Sequence, residues 1–292
     1  MKIAIFADIH SNIHALHAVL EDIERQRPDV VVCAGDMVGI PHPSGMAVWD
    51  TLCDRSIPIL KGNHEEYVIK FHSPEPNDEI KHSVQFGPLQ FVAGQYPTER
   101  TTQLEALPFS MHIDGPQGKD VFVCHGSPLG TSCSIAGEWN AELETALATQ
   151  PETVIVGAHY HRRWHKHWNG KTLLLSGSGG LHLEGQLEAV YLLLTFTQGE
   201  WHYEHRALAY DFPAALHTYV ESGILENGGP VSWLMLDEIM HQQPNLVPFF
   251  HSLNGKVLVE PEEWELAIRA FLEKTGRWEI IQPYLISRGL DV

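Results

Sequence analysis

The sequence predicts a mixed α/β fold: a four-layer α/β/β/α sandwich of two mixed β-sheets flanked by helices, with a C-terminal helical extension. Three observations indicate this fold. Short apolar runs alternate with helical segments over about the first 160 residues, which is the order of parallel strands joined by helices. The order then changes to strand, turn, strand, and from residue 211 onward it is helical. We therefore expect a domain over residues 1–210 and an extension over residues 211–292.

The composition is that of a globular protein with a sizeable core and an acidic surface. The 292 residues are 43% hydrophobic, and 37 acidic against 19 basic residues give a net charge of −18. Such a charge repels duplex nucleic acid, so we expect a small partner. No stretch approaches the roughly 20 apolar residues that cross a bilayer. The chain begins directly with its first strand, without a basic leader, so we expect a cytoplasmic protein with no membrane partner.

The four cysteines form no C-x-x-C pair. Cys33 and Cys124 lie in apolar runs, so we interpret them as small core residues, which fits a reducing compartment.

The first apolar run, which begins at Ile3, is short and rich in β-branched residues, so it predicts a buried strand. Asp8 and His10 lie at its carboxyl end, where open α/β sheets bind ligands. Alternate residues of a strand face one side, so this pair could direct a carboxylate oxygen and an imidazole nitrogen at one metal ion. The alternative for the pair by itself is that Asp8 caps the next helix and His10 is an ordinary loop residue.

Four further apolar runs also end in polar residues of the kind that bind metals. In chain order the pattern predicts a helix over 12–27, a strand over 30–34 ending in Gly35-Asp36, a helix over 44–55 and a short strand over 57–60 ending in Lys61-Gly62-Asn63-His64-Glu65. After residue 109 it predicts a half-exposed strand, a strand over 120–124 ending in His125-Gly126, a helix over 138–149 and a strand over 154–157 followed by Ala158-His159-Tyr160-His161. Residues 72–105 show no sustained period, and we expect short helices and loops there, over the carboxyl edge of the sheet.

The remaining elements are hairpins and helices. Asn169-Gly170 separates strands over 164–168 and 171–175, and Gln198-Gly199 separates strands over 190–196 and 201–208. Helices are predicted over 214–222, 232–241 and 261–274. We find no group of ligand-type residues among them. They should pack on the core or on a partner subunit of a homo-oligomer.

The strand-end residues form one ordered set: Asp8-x-His10, Gly35-Asp36, Gly62-Asn63-His64-Glu65, His125-Gly126 and His159-x-His161. This set resembles the calcineurin-like metallophosphoesterase superfamily, whose pattern is D-x-H, G-D, G-N-H-[DE], H and G-H-x-H. It is most similar to the compact bacterial and archaeal phosphodiesterase branch, where the first block reads Asp-Ile-His-Gly-Asn, close to Asp8-Ile9-His10-Ser11-Asn12 here. The motifs span residues 8–161.

The resemblance implies two metal ions bridged by one carboxylate. Asp8, His10, Asp36 and His161 would hold the first ion, and Asp36, Asn63, His125 and His159 the second. His64 would remain unligated beside the substrate, as a proton donor or a phosphate contact. Independently of the family, oxygen and imidazole ligands without cysteine suit Mn²⁺, Fe, Zn²⁺ or Ni²⁺ better than Mg²⁺ or Ca²⁺, and we favour manganese. Two such ions about 4 Å apart lower the pKa of water between them and stabilise an in-line displacement.

Two positions depart from the family pattern. Ala158 replaces the glycine before the last His-x-His pair, which could alter the turn while keeping both histidines. Glu65 stands where this branch more often has aspartate, and we assign it the role of orienting the His64 imidazole.

Other residues near these motifs carry weaker signals. Asn12 and Arg162 are assigned to substrate binding, and Arg163 could also reach a phosphate, although both arginines could equally be plain surface residues. His165 and His167 share a hairpin face and are more often surface residues than ligands. The segment Ser176-Gly177-Ser178-Gly179-Gly180 should form a tight turn near the site.

The resemblance implies a phosphoesterase, and we expect a small phosphate-ester substrate, such as a nucleotide or a cyclic nucleotide. Protein phosphatases of the superfamily follow Gly-Asp with Val-Asp-Arg-Gly, whereas here Met37-Val38-Gly39-Ile40 follows. Because that arginine is absent, we favour phosphodiesters. A phosphomonoesterase or protein phosphatase is one alternative, and a non-catalytic metal-binding scaffold for protein contacts is the other.

Overall fold

A computed structural model describes residues 1–75 and 77–292. The strands of the described residues form two sheets. The first sheet has the order β2-β1-β8-β9 and comprises β1 (Lys2–Phe6), β2 (Val30–Cys33), β8 (Ala189–Thr197) and β9 (Glu200–Leu208). The second has the order β3-β4-β5-β7-β6 and comprises β3 (Ser110–Ile113), β4 (Val121–Cys124), β5 (Val154–Gly157), β6 (Arg163–Trp168) and β7 (Lys171–Ser176).

Both sheets are mixed, as predicted. β1 pairs parallel with β2 and antiparallel with β8, while β4, β5 and β7 run parallel and β3 and β6 are antiparallel edges. The hairpin turns have positive φ at Asn169, Gly170, Gln198 and Gly199, which suits the right-handed twist of the strands they join. The predicted strand over 57–60 is reduced to one bridge between Cys33 and Ile59, because Pro58 has no N–H to extend the ladder.

Helices cover the outer faces of the sheets. In the described residues they are α1 (Ile13–Gln26), α2 (Gly45–Asp54), α3 (Asn63–His72), α4 (Asp78–His82), α5 (Gly87–Ala93), α6 (Thr98–Glu105), α7 (Ala141–Thr149), α8 (Phe212–Glu221), α9 (Ile224–Asn227), α10 (Val231–His241), α11 (Leu246–Ser252), α12 (Pro261–Lys274) and α13 (Trp278–Ser287). Two short 3₁₀ turns lie at Val84–Phe86 and Pro116–Gly118. The tract after residue 72 therefore contains short helices, as predicted.

The side-chain alternation of the strands separates the core into layers. Ile3 and Ile5 face the second sheet, where they join Val121 and Val123 in one buried cluster. Their neighbours Ala4 and Phe6 face outward and pack with α1. On the other side, residues such as Phe122 and Ile155 pack against α7. The predicted four-layer order is confirmed.

The C-terminal helices pack onto the outer layer of the first sheet. Tyr219, Leu236 and Trp264 belong to the same buried cluster as Phe6 and Leu16. The division of the chain at residue 210 stays a prediction, and the two segments share this hydrophobic cluster. Of the residues the structure describes, no helix has the length and apolar character needed to cross a membrane.

Candidate metal centre

The loops that follow the strands are tied together at one edge of the two sheets. Asp8 N donates to Gly35 O at 3.1 Å, and His10 N donates to Asp36 O at 2.9 Å. Asp8, His10 and Asp36 all have positive φ, between 48° and 52°. The side chains of Asp8 and His10 do not alternate along a strand, contrary to prediction, because β1 ends at Phe6 and the two side chains converge through left-handed backbone instead.

Four of the predicted residues form a first group. One ligand atom from each of Asp8, His10, Asp36 and His161 lies within 4.8 Å of all the others. His10 Nε2 is 2.9 Å from His161 Nε2, and His161 Nε2 is 3.7 Å from Asp8 Oδ1. Asp8 is fully buried and His10 is nearly so.

A second group contains Asp36, His125 and His159, again within 4.8 Å of one another. The amide oxygen of Asn63 lies between the two histidines, 3.0 Å from His125 Nε2 and 2.8 Å from His159 Nδ1. Asn63 begins α3, directly after the turn at Gly62. All seven residues predicted as ligands thus lie at one edge of the sheets.

Asp36 belongs to both groups. Its Oδ2 atom lies 3.3 Å from His125 Nε2 and 3.8 Å from His10 Nε2, and its Oδ1 atom accepts a hydrogen bond from His64 N at 2.8 Å. One carboxylate therefore faces the histidines of both groups.

Backbone carbonyls orient three of the imidazoles. The Nδ1 atoms of His10, His125 and His161 face Ile40 O at 2.5 Å, Ala34 O at 2.9 Å and Leu181 O at 2.9 Å, so each Nδ1–H donates. In a neutral ring Nε2 then carries a lone pair. This is the arrangement by which proteins present imidazole ligands to metals.

These residues fit divalent metal ions. Within the described part of the chain, Asp8 Oδ1 and Asp36 Oδ2 are buried without a hydrogen-bond partner. The Nε2 lone pairs of His10 and His161 face each other at 2.9 Å, an arrangement that is unfavourable unless a cation lies near both. Oxygen and imidazole donors without cysteine suit a first-row divalent ion.

Burial and neighbouring charges shift the pKa values of the site residues strongly. Burial raises the pKa of Asp8 well above its usual value, with the Asp36 carboxylate adding to the rise. Burial would lower the pKa of His125, but Asp36 and Asp8 outweigh it and raise that pKa to about 10. Burial lowers the pKa of His161 to about 3 and that of His159 to about 4. Both rings are thus neutral, as metal ligands must be.

Residues 1–199 match the calcineurin-like phosphoesterase superfamily domain. The chain belongs to this superfamily. The resemblance predicted from the motifs is confirmed.

Two solved structures share the fold. A metallophosphoesterase from Sphaerobacter thermophilus is 22% identical with a TM-score of 0.61, over 83% of this chain and 100% of that one. A hypothetical protein from Pyrococcus horikoshii OT3 is 17% identical with a TM-score of 0.66, over 82% and 98% of the two chains. An uncharacterized protein of Methanocaldococcus jannaschii is 27% identical over 128 residues, 43% of this chain. That alignment spans about half of the relative, 49% of its length.

Glu65 does not orient the His64 imidazole, contrary to its predicted role. Its carboxylate is fully buried and accepts hydrogen bonds from the backbone N–H groups of Gly62 at 2.7 Å, Asp36 at 2.9 Å and Val38 at 3.1 Å. It therefore holds together the two loops that carry Asp36 and Asn63. Burial, with the charge of Asp36, raises the pKa of Glu65 to about 7.

Two positions show why the superfamily motifs contain glycine. A Cβ at Gly62 would lie 2.2 Å from Asp36 Oδ1. Gly35 has a φ of +93°, and a Cβ at Gly35 would lie 2.8 Å from His125 Nδ1. Ala158 is different, since its φ is not positive and its N–H donates to His125 O at 2.6 Å. The alanine in the last motif is therefore accommodated.

The two residues assigned to substrate binding are not directed at the metal groups. Asn12 caps α1 by accepting from Ala15 N at 3.1 Å, and its amide donates to Gly180 O at 2.9 Å. Arg162 is exposed, with its guanidinium 5.2 Å from the Tyr160 ring. Arg163 forms an ion pair with Glu184 at 2.7 Å.

The other candidates divide between the site and the surface. Among the described residues, neither metal group includes His165 or His167, whose rings lie 6.0 Å apart on β6. The glycine-rich turn does lie against the first motif, as predicted. Ser178 Oγ donates to Asp8 O at 2.8 Å, and Gly180 N donates to the same oxygen at 3.0 Å.

Sequence reasoning missed the side chains that the C-terminal helices bring to the site. Two cavities lie beside His64, and residues of α10 and α11, including Met235 and Leu246, line both. These residues have no motif and lie outside the part of the chain that matches the superfamily. Only the tertiary packing brings them near the histidines.

Proposed function

We propose that this protein is a binuclear metal-dependent phosphoesterase that hydrolyses small phosphodiesters in preference to monoesters. The observation that carries the proposal is the position of Asp36. Its buried Oδ2, which lacks a hydrogen-bond partner among the described residues, lies between the histidines of two groups that could each hold a cation. A single carboxylate in this environment is suited to bridge two metal ions.

The proposed ligand sets follow the two groups. Asp8, His10, Asp36 and His161 hold one ion, and Asp36, Asn63, His125 and His159 hold the other. When bound, such ions stabilise charge on the phosphoryl oxygens and lower the pKa of water, and we favour Mn²⁺. Nucleotides and cyclic nucleotides fall within the substrate class.

The chain supplies the remaining chemistry through His64. Its ring packs edge-on against His10 with the centroids 4.5 Å apart, and its Nδ1 is buried without a partner in the described residues. His64 N is held by Asp36 Oδ1, so the same residue that bridges the groups also positions this ring. A ring here can donate a proton to the leaving oxygen or contact the phosphate.

The test combines metal analysis with activity. Metal-free protein should hydrolyse bis(p-nitrophenyl) phosphate only after Mn²⁺ is restored. Asp36→Asn should lower the occupancy of both metal sites and reduce activity by more than about 100-fold, because it removes a ligand rather than a supporting contact. Asp50→Asn, at an exposed carboxylate in an ion pair with Arg100, is the matched control.

Two results would count against the proposal. If Asp36→Asn retains two metal equivalents per chain, Asp36 is not the bridging ligand. If wild-type protein binds two ions and hydrolyses none of a panel of nucleotides, cyclic nucleotides and model esters, it is a metal-binding scaffold rather than an enzyme.

A further inference from the structure

The two cavities beside His64 form a groove with two lobes. The first lobe, of about 160 Å³, borders His10 and His161, and the second, of about 270 Å³, borders Asn63. His64, Ile40, Met235 and Leu246 line both lobes. The lobes thus meet at the side chain proposed to act on the reacting phosphate.

The first lobe is almost entirely apolar. Besides the histidines and Glu238, its lining consists of aliphatic and proline side chains, among them Leu181, Leu183 and Val247. Glu238 is buried, and its Oε1 accepts from Asn245 N and Leu246 N, each at 2.7 Å. Apolar walls and a buried carboxyl group favour an uncharged occupant over an anionic one. A cavity of roughly this size with aliphatic walls holds one benzene ring.

The second lobe is larger and more polar. Tyr67 and Gln85 line it together with Phe86, Leu89 and Phe250. It therefore suits a bulkier substituent whose polar edge can form hydrogen bonds, between aromatic walls.

We infer that the C-terminal helices and the sandwich residues facing them select the substrate, and that the substrate is a phosphodiester with an uncharged, ring-sized apolar arm in the first lobe and a larger arm in the second. The inference rests on the proposed function, because it places the phosphate at His64 and the metal groups. A monoester would leave one lobe empty. α10 and α11, which lie outside the superfamily match, thus add walls to a groove that the sandwich also lines, and these walls are what the extension contributes to the shared centre.

Binding tests the inference without relying on turnover. Diphenyl phosphate and dimethyl phosphate carry the same charge and differ in their arms. Calorimetry on the Mn²⁺-loaded full chain should show diphenyl phosphate binding at least tenfold more tightly, a difference of about 1.4 kcal/mol. Val247→Glu places a charge at the rim of the first lobe, where Val247 is 57% exposed and folding should tolerate it. We expect it to weaken diphenyl phosphate at least fivefold more than dimethyl phosphate, because the added charge repels both anions but only diphenyl phosphate loses an apolar contact for its ring.

Val257→Glu is the matched control, because Val257 is 79% exposed and lines neither lobe. Equal affinity of wild-type protein for the two probes would overturn the inference and leave the proposed function intact. A preference that survives both Val247→Glu and Leu183→Glu would also overturn it, because the ring would then bind elsewhere. If neither probe binds to metal-loaded protein, the inference and the proposed function both fail.

Discussion

At the scale of single residues, the site depends on backbone conformations that its residue types do not reveal. Asp8, His10, Asp36, His159 and His161 all have positive φ. Non-glycine residues in this region each cost on the order of 1 kcal/mol or more, so the surrounding structure must hold them there. The motifs predicted which residues would meet, because strand ends share one edge, but they could not predict the left-handed turns that direct the side chains.

His64 should matter most for substrates with poor leaving groups. If it protonates the leaving oxygen, His64→Ala should keep both metals and lose much more activity on alkyl esters than on nitrophenyl esters, by about tenfold or more. Steady-state kinetics with metal analysis measures this, and His167→Ala, at an exposed residue of β6, is the control. Equal losses on both esters would indicate simple phosphate binding, and loss of metal would make His64 a ligand.

Glu65 should stabilise the fold of the two ligand loops. Glu65→Gln exchanges one acceptor oxygen for an amide NH2 donor that must face a backbone N–H of Gly62, Asp36 or Val38. We expect the free energy of unfolding of metal-free protein to fall by about 1–3 kcal/mol in urea titrations. Glu66→Gln, next in sequence and less buried, should have little effect. An unchanged unfolding midpoint for Glu65→Gln would contradict this account.

Among the elements, apolar periodicity predicted most of the longer helices and the hairpins, and it missed α3, with 10 residues, as well as short elements formed through packing. α9 has only 4 residues and α11 has 7, too few to show a helical period. α13 contains Pro283, which argues against a helix in sequence, although Ile281 and Leu285 are fully buried there. The missed α11 lines both lobes of the groove, so the specificity residues escaped prediction with it.

The start of α11 depends on a buried carboxyl group of α10. Burial is the largest effect and raises the pKa of Glu238 from 4.5 to about 7. The two backbone N–H groups that donate to its carboxylate lower the pKa but do not outweigh burial. A raised carboxyl pKa means that the folded state binds the proton more tightly than the unfolded state. The stability that protonated Glu238 contributes is therefore present below about pH 4.5 and is lost as pH rises through 7. Glu238→Gln should therefore gain stability relative to wild type between pH 5 and pH 8, by about 1–3 kcal/mol.

Urea unfolding of metal-free protein across this pH range measures the Glu238 effect. Glu265→Gln, on the exposed face of α12, should follow the wild-type pH dependence. A constant difference between Glu238→Gln and wild type at every pH would show that Glu238 does not titrate differently in the folded and unfolded states.

Two parts of the chain, the sandwich and the C-terminal extension, border one site. The sandwich carries the residues that the motifs predicted as metal ligands, and the groove walls come from both the sandwich and the extension. The two parts share one buried cluster, which contains Tyr219 and Trp264 of the extension and Leu16 of α1. Sequence patterns could identify the predicted ligand residues of the sandwich, because metal chemistry needs fixed residue types. The walls need only apolar volume, which many sequences provide.

The whole molecule should also favour a singly charged diester over a doubly charged monoester. A net charge of −18 penalises the additional charge, and Met37 and Val38, which replace the arginine-containing segment of protein phosphatases, are buried and apolar. A guanidinium contact to phosphate contributes about 1.5–3 kcal/mol, so its absence lowers monoester affinity most. We expect Mn²⁺-loaded protein to show a kcat/KM for bis(p-nitrophenyl) phosphate at least about tenfold above that for p-nitrophenyl phosphate.

Arg162 and Arg163 are the cations that could restore the missing contact. The ion pair of Arg163 with Glu184 and the stacking of Arg162 near Tyr160 both direct these guanidinium groups away from that role. Arg162→Gln and Arg163→Gln should therefore leave the diester-to-monoester ratio unchanged, as should Arg269→Gln on α12. Added salt should lower the ratio of diester to monoester kcat/KM, because salt screens the acidic surface. If the protein prefers the monoester and either arginine substitution abolishes that preference, a guanidinium group binds the phosphate and this prediction is wrong.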